Sequence, residues 1–195
     1  KAIETIGDSG QHLLGWINDI LDISKIEAGR EQLNLADFDL QGMVNGLSSM
    51  FEMRCQQKDL SWEMQSTLSA GRVHGDEGKL RQILTNLLSN AANFTEEGGV
   101  SLRTNWVDGR LVIEVEDTGP GIAPQEQEAL FDAFVQTNAG RQAQTGTGLG
   151  LAISQQFARL MGGQIEVQSS VGKGALFRVD VLIAGATREE LPLIQ

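Results

Sequence analysis

Residues 76–94 set the strongest constraint on the fold. Leu80, Ile83, Leu84, Leu87, Leu88 and Ala91 recur at helical spacing and form one apolar stripe. Asp76–Phe94 is therefore expected as an amphipathic helix lying on a broad apolar surface. Strand-like runs that could supply that surface occur at Gln32–Phe38, Leu60–Gln65, Val100–Val107, Leu111–Glu116, Gln164–Ser169 and Ala175–Ile183. Asp108-Gly109, between two of these runs, is a dipeptide that turns a hairpin tightly. Further helices are expected over Leu40–Gln57, near Pro124–Phe131 and over Leu151–Met161. The fold class that follows is α+β, a mixed or antiparallel sheet with helices covering one face.

The first 28 residues differ in kind. Ile3, Ile6, Gly10, Leu13, Ile17 and Ile20 follow a 3-4-3-4-3 spacing, widened by Leu14 and Leu21, and Gly29 offers a helix stop. Such a stripe needs a partner helix, and no other segment carries a matching heptad. An upstream helix, a second subunit, or both are expected to cover it. The chain begins at Lys1 rather than Met, as expected of a piece of a larger receptor.

Composition narrows the partners. Of 195 residues, 15 are Lys or Arg and 26 are Asp or Glu, a net charge of −11. That balance argues against coating nucleic acid or an anionic membrane, both of which need a basic surface. No apolar run approaches the ~18 residues of a membrane span. The single cysteine, Cys55, leaves no internal disulfide and suits a reducing, cytoplasmic compartment. Glycine is plentiful at 23 while proline stops at 3, which suggests backbone freedom placed for a purpose.

Several constellations carry chemistry. Asn86, Asn90 and Asn93 stack along one side of the 76–94 helix, although Asn is a poor helix former. A solvated face is the plain alternative; a ligand-facing strip accounts better for three amides flanked by apolar residues. Amide oxygens are hard ligands that suit Mg²⁺ together with phosphate. Asp117-Thr118-Gly119-Pro120-Gly121-Ile122 follows a strand and would set a carboxylate at the mouth of a backbone open to a planar ligand; alone it reads as an ordinary type II turn. Gly146-Thr147-Gly148-Leu149-Gly150-Leu151 opens a helix, where free N–H groups and the dipole favour phosphate. It is neither the dinucleotide fingerprint nor a Walker loop. Gly172-Lys173-Gly174 needs no role beyond a hairpin turn.

Together these segments resemble, in order and spacing, the boxes of sensor histidine kinases. Asp76 to Thr95 is similar to the N box, Asp117 to Ile122 to the first glycine box, and Leu130-Phe131 with Phe134 and Gln136 to the F box. Gly146 to Leu151 resembles the second glycine box and Gly172-Lys173-Gly174 a weaker third. Leu21 to Gly29 resembles the end of the second helix of a dimerisation and phosphoacceptor hairpin. The resemblance implies a Bergerat-type α/β sandwich over 30–183, a hairpin helix over 1–29 and a linker or tail over 184–195. It implies binding of ATP with Mg²⁺, transfer of the γ-phosphate to a histidine and relay to an aspartate of a response-regulator receiver domain. By position, Asn90 would hold Mg²⁺ and Asn86 would support the phosphate side. Asp117 would accept from the adenine amino group, with Gly119, Gly121 and Ile122 against the base. Gly146, Thr147, Gly148, Leu149 and Gly150 would hinge a lid whose body runs from about Val135 to Thr145, rooted on Phe131 and Phe134.

Departures from the pattern shape the expectation. No His-Glu phosphoacceptor pair occurs: His12 precedes Leu13, and His74 precedes Gly75. The acceptor is thus expected on a helix outside this chain, in the same or a partner subunit, within a homodimer whose parent could be membrane-anchored upstream. Asn93 stands where the family has a cation, a role open to Arg141 or Lys173, and Ala175 replaces a hydroxyl residue. A nucleotide-binding but degenerate module is one alternative. The other is an ATPase of the gyrase, mismatch-repair and chaperone kind. That chemistry needs a Glu where Asn86 stands, and an amide cannot serve as general base.

Overall fold

The computed structural model describes residues 2–68, 71–137, 140 and 147–186, with backbone alone for 2–9, 11 and 12. Its elements in chain order are α1 (Ala2–Glu27), β1 (Ala36–Asp39), α2 (Leu40–Gln56), β2 (Ser61–Ser66), β3 (Arg72–Gly75) and α3 (Glu77–Phe94). There follow β4 (Gly99–Val107), β5 (Arg110–Asp117), α4 (Pro124–Gln127), α5 (Gly150–Leu160), β6 (Gln164–Ser169), β7 (Ala175–Leu182) and β8 (Ala184–Gly185).

Five strands form the main sheet in the order β2-β4-β5-β7-β6. β2 runs parallel to β4, and the remaining pairs are antiparallel. Asp108 and Gly109 both take positive φ, 52° and 77°, as a tight hairpin turn requires. Alternation then sorts the sheet's faces. Leu102, Ile113, Val115 and Val179 are buried beneath α2, α3 and α5. On the other face Arg103 reaches Glu114 at 3.1 Å and Glu116 at 2.8 Å, and Arg178 reaches Glu114 at 3.0 Å. The mixed sheet with helices on one face is the architecture expected of the sequence.

Both ends of α3 are anchored. The Asp76 carboxylate accepts the Lys79 N–H at 2.9 Å as an N-cap and the Asn34 N–H at 2.8 Å. Lys79 also bridges Glu31 at 2.7 Å. At the other end, the Lys58 ammonium donates to the carbonyls of Ala92, Asn93 and Thr95, where a cation complements the helix dipole.

Two features depart from the sequence expectation. A small antiparallel sheet, β1-β3-β8, forms beside the main one. Its β8 lies in the expected tail, with Ala184 opposite His74 and Gly185 opposite Val73. The strand expected over Gln32–Phe38 is confined to Ala36–Asp39, because the Asn34 N–H is taken by Asp76 rather than by a ladder. The helix α1 ends at Gly29, φ +63°, as expected. Its Ile23 and Ile26 pack on the hydrophobic core, while Leu13, Leu14, Ile17, Ile20 and Leu21 stay exposed.

Candidate functional site

The C-terminal end of β5, the middle of α3 and the N-terminal end of α5 converge on one cleft of about 230 Å³. From α3 come Asn86 and Asn90, from the end of β5 Asp117, from the turn after it Gly121 and Ile122, and from the loop into α5 Thr147, Gly148 and Gly150. Phe94, Leu130, Ala175 and Phe177 give it apolar walls. Among the described lining residues the charged groups are Asp19 and Asp117, both acids.

Asp117 is buried at the strand end. Burial pushes its carboxyl above the ordinary range, against the lowering effect of the Gly119 and Ala175 N–H groups; Glu116 adds to the rise. The Gly119 N–H reaches Oδ1 at 2.8 Å. Gly121 has φ +69°, and a Cβ there would stand 2.1 Å from the Ser170 carbonyl oxygen. Its lack of a side chain therefore serves backbone packing as well as access to the cleft. The Pro120 carbonyl accepts the Gly172 N–H at 2.7 Å, so the Gly172-Lys173-Gly174 turn buttresses the Asp117 loop.

The two amides of α3 are differently placed. The Asn86 side chain donates to the Ser154 hydroxyl at 3.0 Å, and a Cβ on Gly150 would stand 2.4 Å from its oxygen. Asn86 thus clamps α3 to α5 while facing the cleft. The half-buried Asn90 amide makes no hydrogen bond among the described residues. A half-buried amide oxygen left available at a cleft fits a Mg²⁺ ligand that shares the ion with phosphate and water.

Other expected site residues lie elsewhere. Asn93 is exposed, and its side-chain oxygen accepts from the Arg54 guanidinium at 2.9 Å; the cleft lining does not include it. Leu149 is buried in the core, and its N–H donates to the Thr147 hydroxyl at 3.2 Å. Phe131 packs against the core as expected, whereas Phe134 is 70% exposed with φ +66°. Phe134 still ties the lid root to the glycine loop, through its N–H on the Gly148 carbonyl at 3.0 Å. Val135, Gln136, Thr137 and Gly140 of the expected lid line the cleft. Arg141 and Gly146 lie outside the described residues.

The sequence reading missed Trp16 and Asp19 of α1, both of which line the cleft. The Thr147 hydroxyl donates to Asp19 Oδ2 at 3.3 Å. No local signal could have found this pair, which is separated by 128 positions.

Comparisons with known proteins show the family. Residues 75–184 match the family described as histidine kinase-, DNA gyrase B-, and HSP90-like ATPase. The circadian input-output histidine kinase CikA of Synechococcus elongatus is 41% identical over 183 residues, which are 92% of this chain and 24% of that protein. The histidine protein kinase DivJ of Caulobacter vibrioides is 40% identical over 186 residues, 93% of this chain and 31% of that protein. The chain therefore spans about a quarter to a third of these relatives' length. Full-length ShkA, solved in complex with AMPPNP, superposes with a TM-score of 0.79 at 37% identity, covering 92% of this chain and 38% of that one.

Proposed function

The chain belongs to the histidine kinase-, DNA gyrase B- and HSP90-like ATPase family, on its histidine-kinase side, and from that premise we propose that it binds ATP with Mg²⁺ for phosphoryl transfer to a histidine. The supporting observation is the convergence of Asn90, Asp117 and the Thr147–Gly150 loop on one cleft. These elements are far apart in sequence and chemically distinct.

In this reading Asp117 accepts a hydrogen bond from the adenine amino group, within the walls formed by Ile122, Leu130 and Phe177. The oxygen of Asn90 would hold Mg²⁺, which would supply charge neutralisation at the phosphates. Asn86, through Ser154, fixes the spacing between α3 and the loop that faces the phosphates. The loop's backbone and the helix dipole of α5 receive anionic oxygens. Positioning and charge neutralisation of this sort supply most of the catalysis in phosphoryl transfer. Hydrolysis is not the reaction favoured here, because the position that a water-activating Glu would take is Asn86, engaged with Ser154.

The acceptor is a histidine on a helical hairpin beyond this chain, in the same or a partner subunit of a homodimer, with α1 as the hairpin's second helix. A receiver aspartate takes the phosphate next, and the setting is cytoplasmic. Among the described residues no helix is long and apolar enough to cross a membrane. The test supplies a separate hairpin bearing a His-Glu pair and looks for label from γ-labelled ATP. Label that depends on Mg²⁺ and is lost in Asn90→Ala is the expected result; no label on any hairpin, with ATP bound, would favour the degenerate module. The lack of a lysine or arginine among the described lining residues is the observation that keeps that second reading in play.

A further inference from the structure

The contact between α1 and the glycine loop has a chemistry of its own. Thr147 accepts the Leu149 N–H and donates its own O–H to Asp19 Oδ2, so its hydroxyl is engaged on both sides. Asp19 stands at the N-terminal end of α5, where unpaired N–H groups and the dipole attract an anion. Trp16, one turn earlier on α1, lines the same cleft. A second tether lies alongside: the Gln82 amide donates to Asp22 Oδ2 at 3.1 Å.

We propose that Asp19 is a built-in anionic pseudoligand, a carboxylate occupying phosphate's place at the Thr147–Gly150 loop, so that nucleotide binding and docking of α1 exclude one another. This rests on the nucleotide-site reading above. Electrostatics demands the exclusion. A triphosphate entering a cleft whose charged residues, among the described lining, are both acids meets a like charge at the Thr147–Gly150 loop. The docked contact is also weak enough to yield. At the glycine loop it is one hydrogen bond at 3.3 Å, beside the Asp22–Gln82 tether, and burial raises the Asp19 carboxyl more than the Thr147 hydroxyl lowers it, with Asp22 adding to the rise. The nucleotide would displace α1 and with it the exposed apolar stripe, which links occupancy of the cleft to the position of the helix.

Calorimetry with Mg²⁺ and a non-hydrolysable ATP analogue, on the whole chain, tests the idea. Asp19→Asn should tighten binding, on the order of threefold to tenfold, by removing one partly screened like charge. Gln82→Ala, which loosens docking from outside the cleft, should tighten it in the same direction by less. The fluorescence of Trp16, taken as the difference between the wild type and Trp16→Phe, should change as nucleotide displaces the half-exposed indole from the cleft. Weaker binding in Asp19→Asn would overturn the proposal by making Asp19 a group that holds the metal or nucleotide. Unchanged affinity in both variants, or a Trp16 signal indifferent to nucleotide, would overturn it while leaving the nucleotide site intact. No binding by wild type or variants would overturn the site reading and this inference together.

Discussion

The backbone N–H of Gly119 lies 2.8 Å from Asp117 Oδ1, so the carboxylate that faces the cleft is aimed by its own loop. Asp117→Asn keeps the size and an acceptor oxygen but loses the charge, and ATP affinity should fall at least tenfold by calorimetry. Stability should move the other way. The folded-state pKa of Asp117 is raised, chiefly by burial, so the fold binds this proton more tightly than the unfolded chain. The stabilisation is full below the ordinary Asp value of about 3.9 and is lost as pH rises through the folded-state value. Asp117→Asn should therefore melt higher than wild type at pH 7, and the gap should close on acidification. A variant that melts lower at pH 7 would contradict this account.

Asn90 and Asn86 should separate in experiment. Asn90→Ala removes an amide with no partner among the described residues. Phosphotransfer should fall by about 10²-fold or more with the melting temperature within a degree or so of wild type. Asn86→Ala breaks the bond to Ser154 and should cost about 1 kcal/mol, near 2–4 °C for a chain this size. Parallel thermal melts and γ-label transfer read both effects.

Asp76 predicts acid sensitivity. Burial alone would raise its carboxyl, but the N–H groups of Lys79 and Asn34 and the Lys79 ammonium bring it below the usual range. Its contribution is thus present above about pH 3.9 and lost as pH falls through the lower folded-state value. Asp76→Ala should cost roughly 1–3 kcal/mol at pH 7, the loss of an N-cap and of a second backbone partner. The difference from wild type should shrink in acid, as urea melts across pH would show.

Asn93 bonds to Arg54 outside the cleft lining. Asn93→Ala should change nucleotide affinity by less than about threefold. A larger loss would return Asn93 to the site.

Gly148 adopts φ +72°, and a Cβ there would stand 2.8 Å from the Val135 carbonyl oxygen. Gly148→Ala should cost at least about 1 kcal/mol and weaken ATP binding. Wild-type behaviour would show that the loop rearranges freely.

Much of this was legible in the sequence where one signal carried an element alone. The α3 stripe, the Asp108-Gly109 hairpin and the Gly29 stop each act within a few residues, and each stands where expected. The failures share a cause. Leu33 and Leu35 alternate as in a strand, yet the Asn34 N–H goes to Asp76, 42 positions away. β3 and β8 span four and two residues, too short to show a period, and exist because β3 pairs with β1 on one side and β8 on the other. In the site, Asn86, Asn90 and Asp117 were found because their residue types are costly where they stand. Asp19 and Trp16 look ordinary on a helix and gain meaning only from the loop that folds against them.

The anchoring of α3 at both ends divides motion within the molecule. With Asp76 holding its first turn and Lys58 its last carbonyls, the helix bearing Asn86 and Asn90 is a fixed rail between two fasteners. Motion at the cleft then falls to the glycine loop and to α1, which is tied to α3 by the Asp22–Gln82 hydrogen bond. Amide hydrogens along the middle of α3 should exchange with solvent among the slowest in the chain, whether or not the cleft is filled.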